Sequence, residues 1–262
     1  MYFEFHSLTD PGLHRDNNED SVAHDRDNRF VVLADGMGGY NAGEVASAMA
    51  TECIHQELGR WMGCEGKTAD VGDVKRVMET CVGNANRSIY RAAQETPKYL
   101  GMGTTLVMGV FHNGRALIGH VGDSRCYRLR AGTLKQITRD HSLLQEQVDA
   151  GLISPEQAQY AVHKNLVTRA MGVDDTVALE INERRTDAGD IYLFCSDGLS
   201  DMLPDAGIAD ILRKPGSLDH KCRALVNAAN DGGGRDNISV ILVELRPTSV
   251  PRGLLSRLFG KG

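Results

Sequence analysis

Apolar residues in the first part of the chain predict one buried strand followed by two long helices. Residues 29–34 contain a short apolar run that stops at Asp35 and Gly36, as expected for a strand that ends in a tight turn. Apolar positions between residues 44 and 61, and again between 74 and 93, recur at the spacing of one helical face. We expect these two helices to pack against each other in antiparallel directions.

The middle of the chain changes to short β-rich segments separated by turn residues. Asn113-Gly114 is the clearest turn, because both residues tolerate positive φ. Gly122-Asp123 and Ala131-Gly132 mark two further turns. The segments predicted to be strands of a meander are 104–111, 115–121, 126–129 and 134–137.

The second half of the chain alternates blocks of strands with blocks of helices. Residues 143–171 are polar and partly helical, with Ser154-Pro155-Glu156 as a helix start. Blocks of this kind favour a layered α+β domain over a doubly wound parallel sheet. The remaining predictions are strands at 177–182, 190–195 and 238–245, and helices at 205–213 and 218–229.

Composition narrows the classes of function. The 262 residues carry a net charge of −6, which argues against a general nucleic-acid binder. The chain has no apolar run of about eighteen residues and does not start like a secretion signal, so we expect a soluble, cytoplasmic protein. Its six cysteines form no C-x-x-C pair and are expected to be reduced. We find no linker or internal repeat and expect one domain.

Five short acidic islands carry most of the chemical information. Each places a carboxylate beside glycine, serine or asparagine at a point where a strand should stop. Mg²⁺ and Mn²⁺ prefer such oxygen ligands, so we interpret the islands as one metal site, although any single island could be an Asp-Gly turn or an Asx cap. The islands are Arg15-Asp-Asn-Asn-Glu-Asp20, Asp35-Gly-Met-Gly-Gly39, Gly122-Asp-Ser-Arg125, Ser196-Asp-Gly198 and Gly233-Gly-Arg-Asp-Asn237.

In order and content these islands resemble the metal-dependent serine/threonine protein phosphatases of the PPM (PP2C-type) family, in its short bacterial form, over almost the whole chain. The resemblance implies a four-layer αββα sandwich, in which two antiparallel sheets are flanked by helices on both sides. It also implies hydrolysis of phosphoserine and phosphothreonine by direct attack of a water, activated at a centre of two Mn²⁺ or Mg²⁺ ions. A weaker third ion belongs to the same expectation.

The resemblance assigns a role to each acidic residue. Asp35 would bridge the two central metals, and the carbonyl of Gly36 would serve the second. Asp197 and Asp236 would complete the shell of the first metal.

The first island would complete the site. Glu19 and Asp20 would hold the second metal directly or through its waters, whereas Asp123 would help to hold the third. Arg15 suits bidentate capture of the substrate phosphate, and its alternative is a surface ion pair with Glu19 or Asp16. The residues expected to act in catalysis are Arg15, Asp20 and Asp35.

One position departs from the family pattern. Many eukaryotic members have histidine directly after the Asp-Gly of the second island, whereas this chain has Met37. Methionine cannot protonate the leaving oxygen, so a metal-bound water or another group such as His141 or His163 would have to do so. Both histidines have an alternative interpretation as surface or loop residues without a role in catalysis, and we favour this alternative.

Two segments fall outside the islands. Residues 141–171 correspond to the family's flap beside the active site, within a phosphatase domain expected to span 1–245. Residues 246–262 form a basic tail, which is either frayed or an amphipathic helix for a membrane or partner. We expect a monomer that acts on phosphorylated proteins and reverses a cognate serine/threonine kinase.

Two other functions compete with this one. Cys81 and Arg87 match the C-x5-R pattern of cysteine-dependent phosphatases, but Cys81 lies in a predicted helical stripe where backbone N–H groups cannot surround a phosphate. A pseudophosphatase that binds phosphoproteins without turnover is the second. The complete acidic set argues against it, because buried like charges have no use without a cation.

Overall fold

The computed structural model describes residues 1–38, 42–158 and 166–248. Gly39, His163 and residues 249–262 of the predicted tail lie outside this range. The strands are β1 Tyr2–Asp10, β2 Asp20–Asp25, β3 Phe30–Met37, β4 Gly103–Thr104, β5 Leu106–His112, β6 Arg115–Val121, β7 Arg125–Arg130, β8 Thr133–Gln136, β9 Glu180–Arg185, β10 Ile191–Cys195 and β11 Ile238–Arg246. The α-helices are α1 Ala42–Cys64, α2 Val71–Glu95, α3 Leu143–Asp149, α4 Pro155–Ala158, α5 Asp197–Ser200, α6 Asp205–Arg213 and α7 Leu218–Asp231.

The strands form two antiparallel sheets. The first has the order β1-β11-β10-β7-β8, and the second has the order β2-β3-β5-β6-β9, with β4 paired to the end of β3. In the first sheet, Cys195 pairs with both Val240 and Arg125, and in the second, Asp20 pairs with Asp35. These registers bring the start of β2, the end of β3 and the end of β10 to the positions from which the site is built.

Three apolar clusters separate four layers. Helices α1 and α2 cover the second sheet, where Ile54 and Val82 share a cluster with Val32. Between the sheets, the rings of Phe111 and Tyr192 meet edge to face with centroids 5.2 Å apart. Helices α5, α6 and α7 cover the first sheet in a third cluster. The fold is therefore the expected αββα sandwich.

Local signals explain where the long helices begin. At the start of α2, the Asp70 side chain accepts from the Asp73 N–H while the Asp73 side chain accepts from the Asp70 N–H, a reciprocal capping box. Helix α7 begins after Ser217, whose hydroxyl accepts from the His220 N–H. None of the helices in the described part of the chain combines the length and hydropathy that a membrane span needs.

The structure corrects several predicted boundaries. The hydrophobic pattern did not predict β1 or β2, and the strand predicted at 177–182 lies at Glu180–Arg185. The strand predicted at 104–111 is divided into β4 and β5, because Thr105 leaves the ladder and donates its N–H to the Asp35 carbonyl at 2.8 Å. This interruption fixes the backbone of the second acidic island.

Candidate metal centre

One aspartate from each of the five islands lies at the same end of the sandwich. Asp20 begins β2 opposite Asp35 near the end of β3, and Asp197 is the first residue of α5 after β10. Asp123 lies in the turn between β6 and β7, and Asp236 precedes β11. Each of the other four carboxylates is close enough to Asp35 to raise its pKa by electrostatic repulsion. Residues separated by most of the chain therefore form one acidic cluster.

The backbone at Asp35 and Gly36 is fixed from both sides. The Asp35 carbonyl accepts from the Thr105 N–H and from the Thr104 hydroxyl, both at 2.8 Å. The Gly36 N–H donates to the Glu19 carbonyl at 3.1 Å. A Cβ atom at position 36 would lie 2.1 Å from the Gly43 carbonyl oxygen and 2.6 Å from that of Glu19. Only glycine fits this close approach of three backbone segments.

Asp20 is held by Ser196, which lies between β10 of the other sheet and α5. The Ser196 hydroxyl donates to Oδ2 of Asp20 at 2.8 Å, and it accepts from the Ser239 N–H at 2.9 Å. Oδ1 of Asp20 is inaccessible to solvent and has no hydrogen-bond partner among the described residues. A buried acceptor oxygen of this kind is costly unless a cation or a donor reaches it.

Asn237 joins the first and last islands. Its side-chain amide donates to the carbonyls of Pro11 and Asn17 at 3.0 and 2.9 Å, and its Oδ1 accepts from the Glu19 N–H at 2.8 Å. The backbone N–H of Asn237 donates to Oδ1 of Asp236 at 2.8 Å. One amide side chain thus sets the distance between Glu19 and Asp236. No role was predicted for Asn237, although its position in the fifth island could have indicated one.

Burial and mutual repulsion raise the pKa values of the carboxylates in the cluster. Burial, followed by repulsion from neighbouring carboxylates, holds the pKa values of Asp35 and Asp197 well above their ordinary range. Burial raises the pKa of Asp20 to about 7, against the hydrogen bonds from Ser239 and Ser196. Carboxylates in such positions favour a proton or a metal ion. The donor set, together with the unpaired oxygen of Asp20, fits a hard divalent cation.

Asp123 occupies a distinct part of the cluster. It is buried, and burial followed by repulsion from Asp140 raises its pKa to about 6. Asp140 is itself engaged by the Arg125 guanidinium, with Nη2 2.6 Å from Oδ2. Asp201, in the turn after α5, also raises the pKa values of Asp123 and Asp197, and the sequence analysis did not single it out. Its spacing of one helical turn from Asp197 was the available signal.

Arg15 points into the site, where it is paired with Asp236, an acid that was not predicted as its partner. Its Nη2 lies 2.7 Å from Oδ2 of Asp236, and half of its side-chain surface is exposed. The hydrogen bond with Asp236 is the main reason why the Arg15 pKa is raised. Arg15 therefore pairs with Asp236 rather than with Glu19 or Asp16, the two partners expected in the alternative interpretation. A guanidinium beside the acidic cluster can meet an anionic substrate while retaining a carboxylate partner.

His141, which was expected to be a surface or loop residue, lies in a loop but is buried. His141 is 7% exposed, its Nδ1 accepts from the Gly122 N–H at 3.1 Å, and its Nε2 lies 3.2 Å from Glu180. Both ring nitrogens are engaged, which argues against His141 as the general acid. Met37 ends β3 as a half-buried residue and offers no proton.

The cysteine of the C-x5-R match is a core residue. Cys81 is 3% exposed within α2, and burial raises its thiol pKa to about 12. A reactive thiolate needs a lowered pKa. The structure therefore supports the rejection of cysteine-based catalysis at this position.

Comparison with known proteins identifies the family. The protein phosphatase 2C family model matches residues 14–234. The serine/threonine phosphatase Stp of Listeria welshimeri is 38% identical over 248 residues, which cover 93% of this chain and 96% of that protein. The family match includes four of the five islands in full and the fifth in part.

Solved structures agree with this match. The Mycobacterium tuberculosis serine/threonine phosphatase PstP/Ppp superimposes with a TM-score of 0.86 and 36% identity, covering 94% of this chain and all of that chain. A structure of the PstP catalytic domain in complex with two manganese ions superimposes with a TM-score of 0.82 and 36% identity, covering 94% of this chain and 99% of that chain. The chain therefore belongs to the protein phosphatase 2C, or PPM, family of serine/threonine phosphatases.

Proposed function

We propose that this protein hydrolyses phosphoserine and phosphothreonine in proteins by direct attack of water at a centre of two Mn²⁺ or Mg²⁺ ions. The observation that carries the proposal is the convergence of five aspartates whose mutual repulsion is relieved only by protons or cations. The two manganese ions of the related PstP domain support the same number here.

The ligand sets that we propose follow the positions of the acids. Asp35 would bridge the two ions, with Asp197 and Asp236 around the first. Glu19 and Asp20 would serve the second, directly or through water, and the Gly36 carbonyl lies in the same segment as Asp35. Asp123 would contribute to a third site, because its buried carboxylate is close enough to Asp35 and Asp197 to raise their pKa values. That site would bind its ion more weakly, since fewer protein ligands serve it.

The chain's own groups divide the work around those ions. When bound, the two cations would lower the pKa of a water toward neutrality and offset charge on the phosphoryl oxygens. The fixed backbone of β3 and the Asn237 amide would hold the ligands in place, so that little rearrangement is needed during reaction. With Met37 in place of histidine, we propose that a water rather than a side chain protonates the leaving oxygen.

Arg15→Ala should mainly raise KM for phosphopeptides. Its guanidinium would bind phosphate in the ground state as well as in the transition state, so kcat should change less than KM. Because the side chain is half exposed, we expect about a tenfold rise in KM, the lower end for a charged hydrogen bond. Steady-state kinetics on a phosphoserine peptide measures this. Arg76→Ala, in an exposed pair on α2, is the matched control. Unchanged KM and kcat in Arg15→Ala would restrict Arg15 to its ion pair with Asp236.

Asp123→Ala should give a graded loss rather than an inactive protein. The variant should keep two central cations, because Asp35, Asp197 and Asp236 would bind these ions without a ligand from Asp123. Turnover of phosphopeptides should fall roughly 10- to 100-fold, as expected when one supporting metal contact is removed. Calorimetric titration with Mn²⁺ counts the ions, and phosphate release gives the rate. Loss of all metal binding would place Asp123 in the central site, whereas full activity would leave it only a turn-forming role.

The cellular setting is proposed on the same basis. We propose a cytoplasmic monomer whose substrates are phosphoproteins made by a cognate serine/threonine kinase. Residues 1–245 would form the phosphatase domain, with residues 141–171 as the flap, of which residues 159–165 lie outside the described range. The predicted basic tail, residues 246–262, would act separately from catalysis, except that its first residue, Arg246, ends β11 and belongs to the sheet.

The direct test is hydrolysis of a phosphoserine peptide by chelator-treated enzyme with and without added Mn²⁺. Activity that requires Mn²⁺ is the expected result. A rate that resists chelation would contradict metal catalysis. Tight phosphopeptide binding without turnover at saturating Mn²⁺ would instead favour the pseudophosphatase.

A further inference from the structure

Two buried histidines and a glutamate lie directly behind the Asp123 turn and take no part in the acidic cluster. His120, at the end of β6, is fully buried, and its ring stacks on that of His141 with centroids 4.6 Å apart and planes inclined by 19°. Nε2 of His141 lies 3.2 Å from Oε2 of Glu180, the first residue of β9. One potential ligand atom from each of the three residues falls within 4.8 Å of the others.

The hydrogen bonds around His141 specify its tautomer. A backbone N–H can only donate, so Nδ1 of His141 must present its lone pair to the Gly122 N–H at 3.1 Å. The ring proton of the neutral form then lies on Nε2, from which it donates to Glu180. Burial lowers the pKa of His141, which keeps the ring neutral. Glu180 therefore orients the acceptor that faces Gly122.

The same tautomer argues against a metal at this place. Coordination through Nε2 of His141 would move the ring proton to Nδ1, where it would face the Gly122 N–H as a second donor. His120 is different, since its Nε2 bonds to the Arg139 carbonyl at 2.7 Å and its Nδ1 has no partner among the described residues. One open nitrogen is too few for a metal site.

His141 secures the turn that carries Asp123 by two bonds. Besides the bond to Nδ1, the His141 N–H donates to the Gly122 carbonyl at 3.0 Å. Gly122 has a φ of +101°, a conformation that favours glycine, and a Cβ atom at this position would lie 2.8 Å from the Thr105 side chain. On the other side of the turn, the Ser124 and Thr105 hydroxyls lie 2.8 Å apart. Asp123 is thus held between the backbone of the metal centre and His141.

The same histidine is also joined to the base of the flap. Its carbonyl accepts from the Thr168 N–H at 2.8 Å, and the adjacent Ser142 forms an antiparallel bridge with Val167. His141 is therefore bonded both to the Asp123 turn and to the base of the flap.

We propose that His141, oriented by Glu180, is a positioning residue that holds the Asp123 carboxylate in register with the acidic cluster. The inference rests on the proposed role of Asp123 in phosphatase activity. In this proposal, the group that holds the Asp123 turn is the hydrogen-bond acceptor at Nδ1 of His141. Asparagine places its Oδ1 near the position of Nδ1, whereas the longer glutamine reaches toward Nε2 and leaves Gly122 without an acceptor.

The test compares His141→Gln with His141→Asn, in the wild-type and in the Asp123→Ala background. In the Mn²⁺-loaded enzyme, His141→Gln should lower kcat on a phosphoserine peptide about tenfold, the size expected from one lost hydrogen bond to a positioned group. His141→Asn should recover most of that rate. His141→Gln should cause no further loss when Asp123 is already alanine, because both changes then remove the same function. His220→Gln, at an exposed position on α7, is the control, and thermal unfolding of each variant reports folding.

A second readout does not depend on activity. Nitrogen-15 NMR of histidine-labelled, Mg²⁺-loaded wild-type protein should show His141 protonated on Nε2 and unprotonated on Nδ1. The opposite tautomer, equal losses in the two His141 variants, or losses that add to that of Asp123→Ala would overturn the inference. If the wild-type enzyme itself lacks Mn²⁺-dependent activity, the proposed function fails, and the NMR result alone decides the orientation of His141. A Zn²⁺-dependent shift of both histidines at one ion per chain would replace positioning with metal binding.

Discussion

Asp35→Asn should abolish hydrolysis while leaving a folded protein. The side chain would bridge both ions, and a neutral amide binds hard cations far more weakly than a carboxylate does. We expect the rate on a phosphoserine peptide at saturating Mn²⁺ to fall by at least about 10³-fold, as for loss of a central electrostatic group. Asp197→Asn and Asp236→Asn should behave similarly. Wild-type turnover in folded, Mn²⁺-saturated Asp35→Asn would contradict the two-metal assignment.

Asp35→Asn should not destabilise the metal-free protein, even though it removes activity. The folded-state pKa of Asp35 is raised by burial and by four neighbouring carboxylates. The fold therefore favours the protonated form, and stability is lost as pH rises from the unfolded value of about 3.9 through the raised pKa. At pH 7.5, metal-free Asp35→Asn should have a melting temperature equal to or higher than that of metal-free wild type. Any gain in melting temperature should shrink as the pH is lowered. Asp210→Asn, at an exposed site on α6, is the control. A strongly destabilised metal-free Asp35→Asn would contradict the electrostatic account.

Gly36→Ala should remove activity through the backbone rather than through a lost ligand. The new methyl group would lie 2.1 Å from the Gly43 carbonyl oxygen, so the end of β3 or the start of α1 must shift. That shift displaces Asp35, whose carbonyl bonds to Thr104 and Thr105 fix the site. We expect at least about a 10²-fold loss of activity, the cost of misplacing a catalytic group by about 1 Å. Activity and Mn²⁺ affinity measure the effect.

The matched control for this prediction is Gly83→Ala. Gly83 lies on α2, where a Cβ atom would lie 3.7 Å from the Arg87 side chain, an ordinary van der Waals distance. Alanine should stabilise the helix by about 0.5 to 1 kcal/mol without changing activity. Wild-type Mn²⁺ affinity and rate in Gly36→Ala would show that the close approach at β3 has no functional importance.

The sequence predicted the long elements and the layered fold well. The two helices of the first half were predicted from an apolar stripe, and in α2 the stripe residues Val74, Met78 and Ile89, within the predicted range 74–93, are all buried. The turn at Asn113-Gly114 also lies where it was expected, with positive φ at both residues. These features are local, because periodicity and turn chemistry depend on neighbours in sequence.

The strands that the pattern missed are edge strands. Strand β2 is half-buried along its whole length, and β1 lies at the edge of its sheet beside β11. A strand with one neighbour buries less, so its apolar alternation is weak and charged residues are tolerated. The mistake in β9 has the same cause, since that strand is also at an edge and is mostly charged.

The acidic residues were found through their islands, but the contacts that hold them were not. Ser196 reaches Asp20, and Asn237 reaches Glu19, across most of the chain's length. No local pattern specifies such bonds, because they depend on how the two sheets pack. His141 shows the same limit, as its polar neighbours suggested a surface loop and only the packed structure reveals a buried acceptor for Gly122.

The central claim, that these carboxylates form the catalytic metal centre, is tested most directly by anomalous diffraction at the manganese absorption edge. The crystals would be those of the active enzyme grown with Mn²⁺. We predict two strong anomalous peaks among Asp20, Asp35, Asp197 and Asp236, with Asp35 between them and any weaker third peak beside Asp123. Fully active crystals with no manganese in this cluster, or with manganese only at another place, would contradict the account.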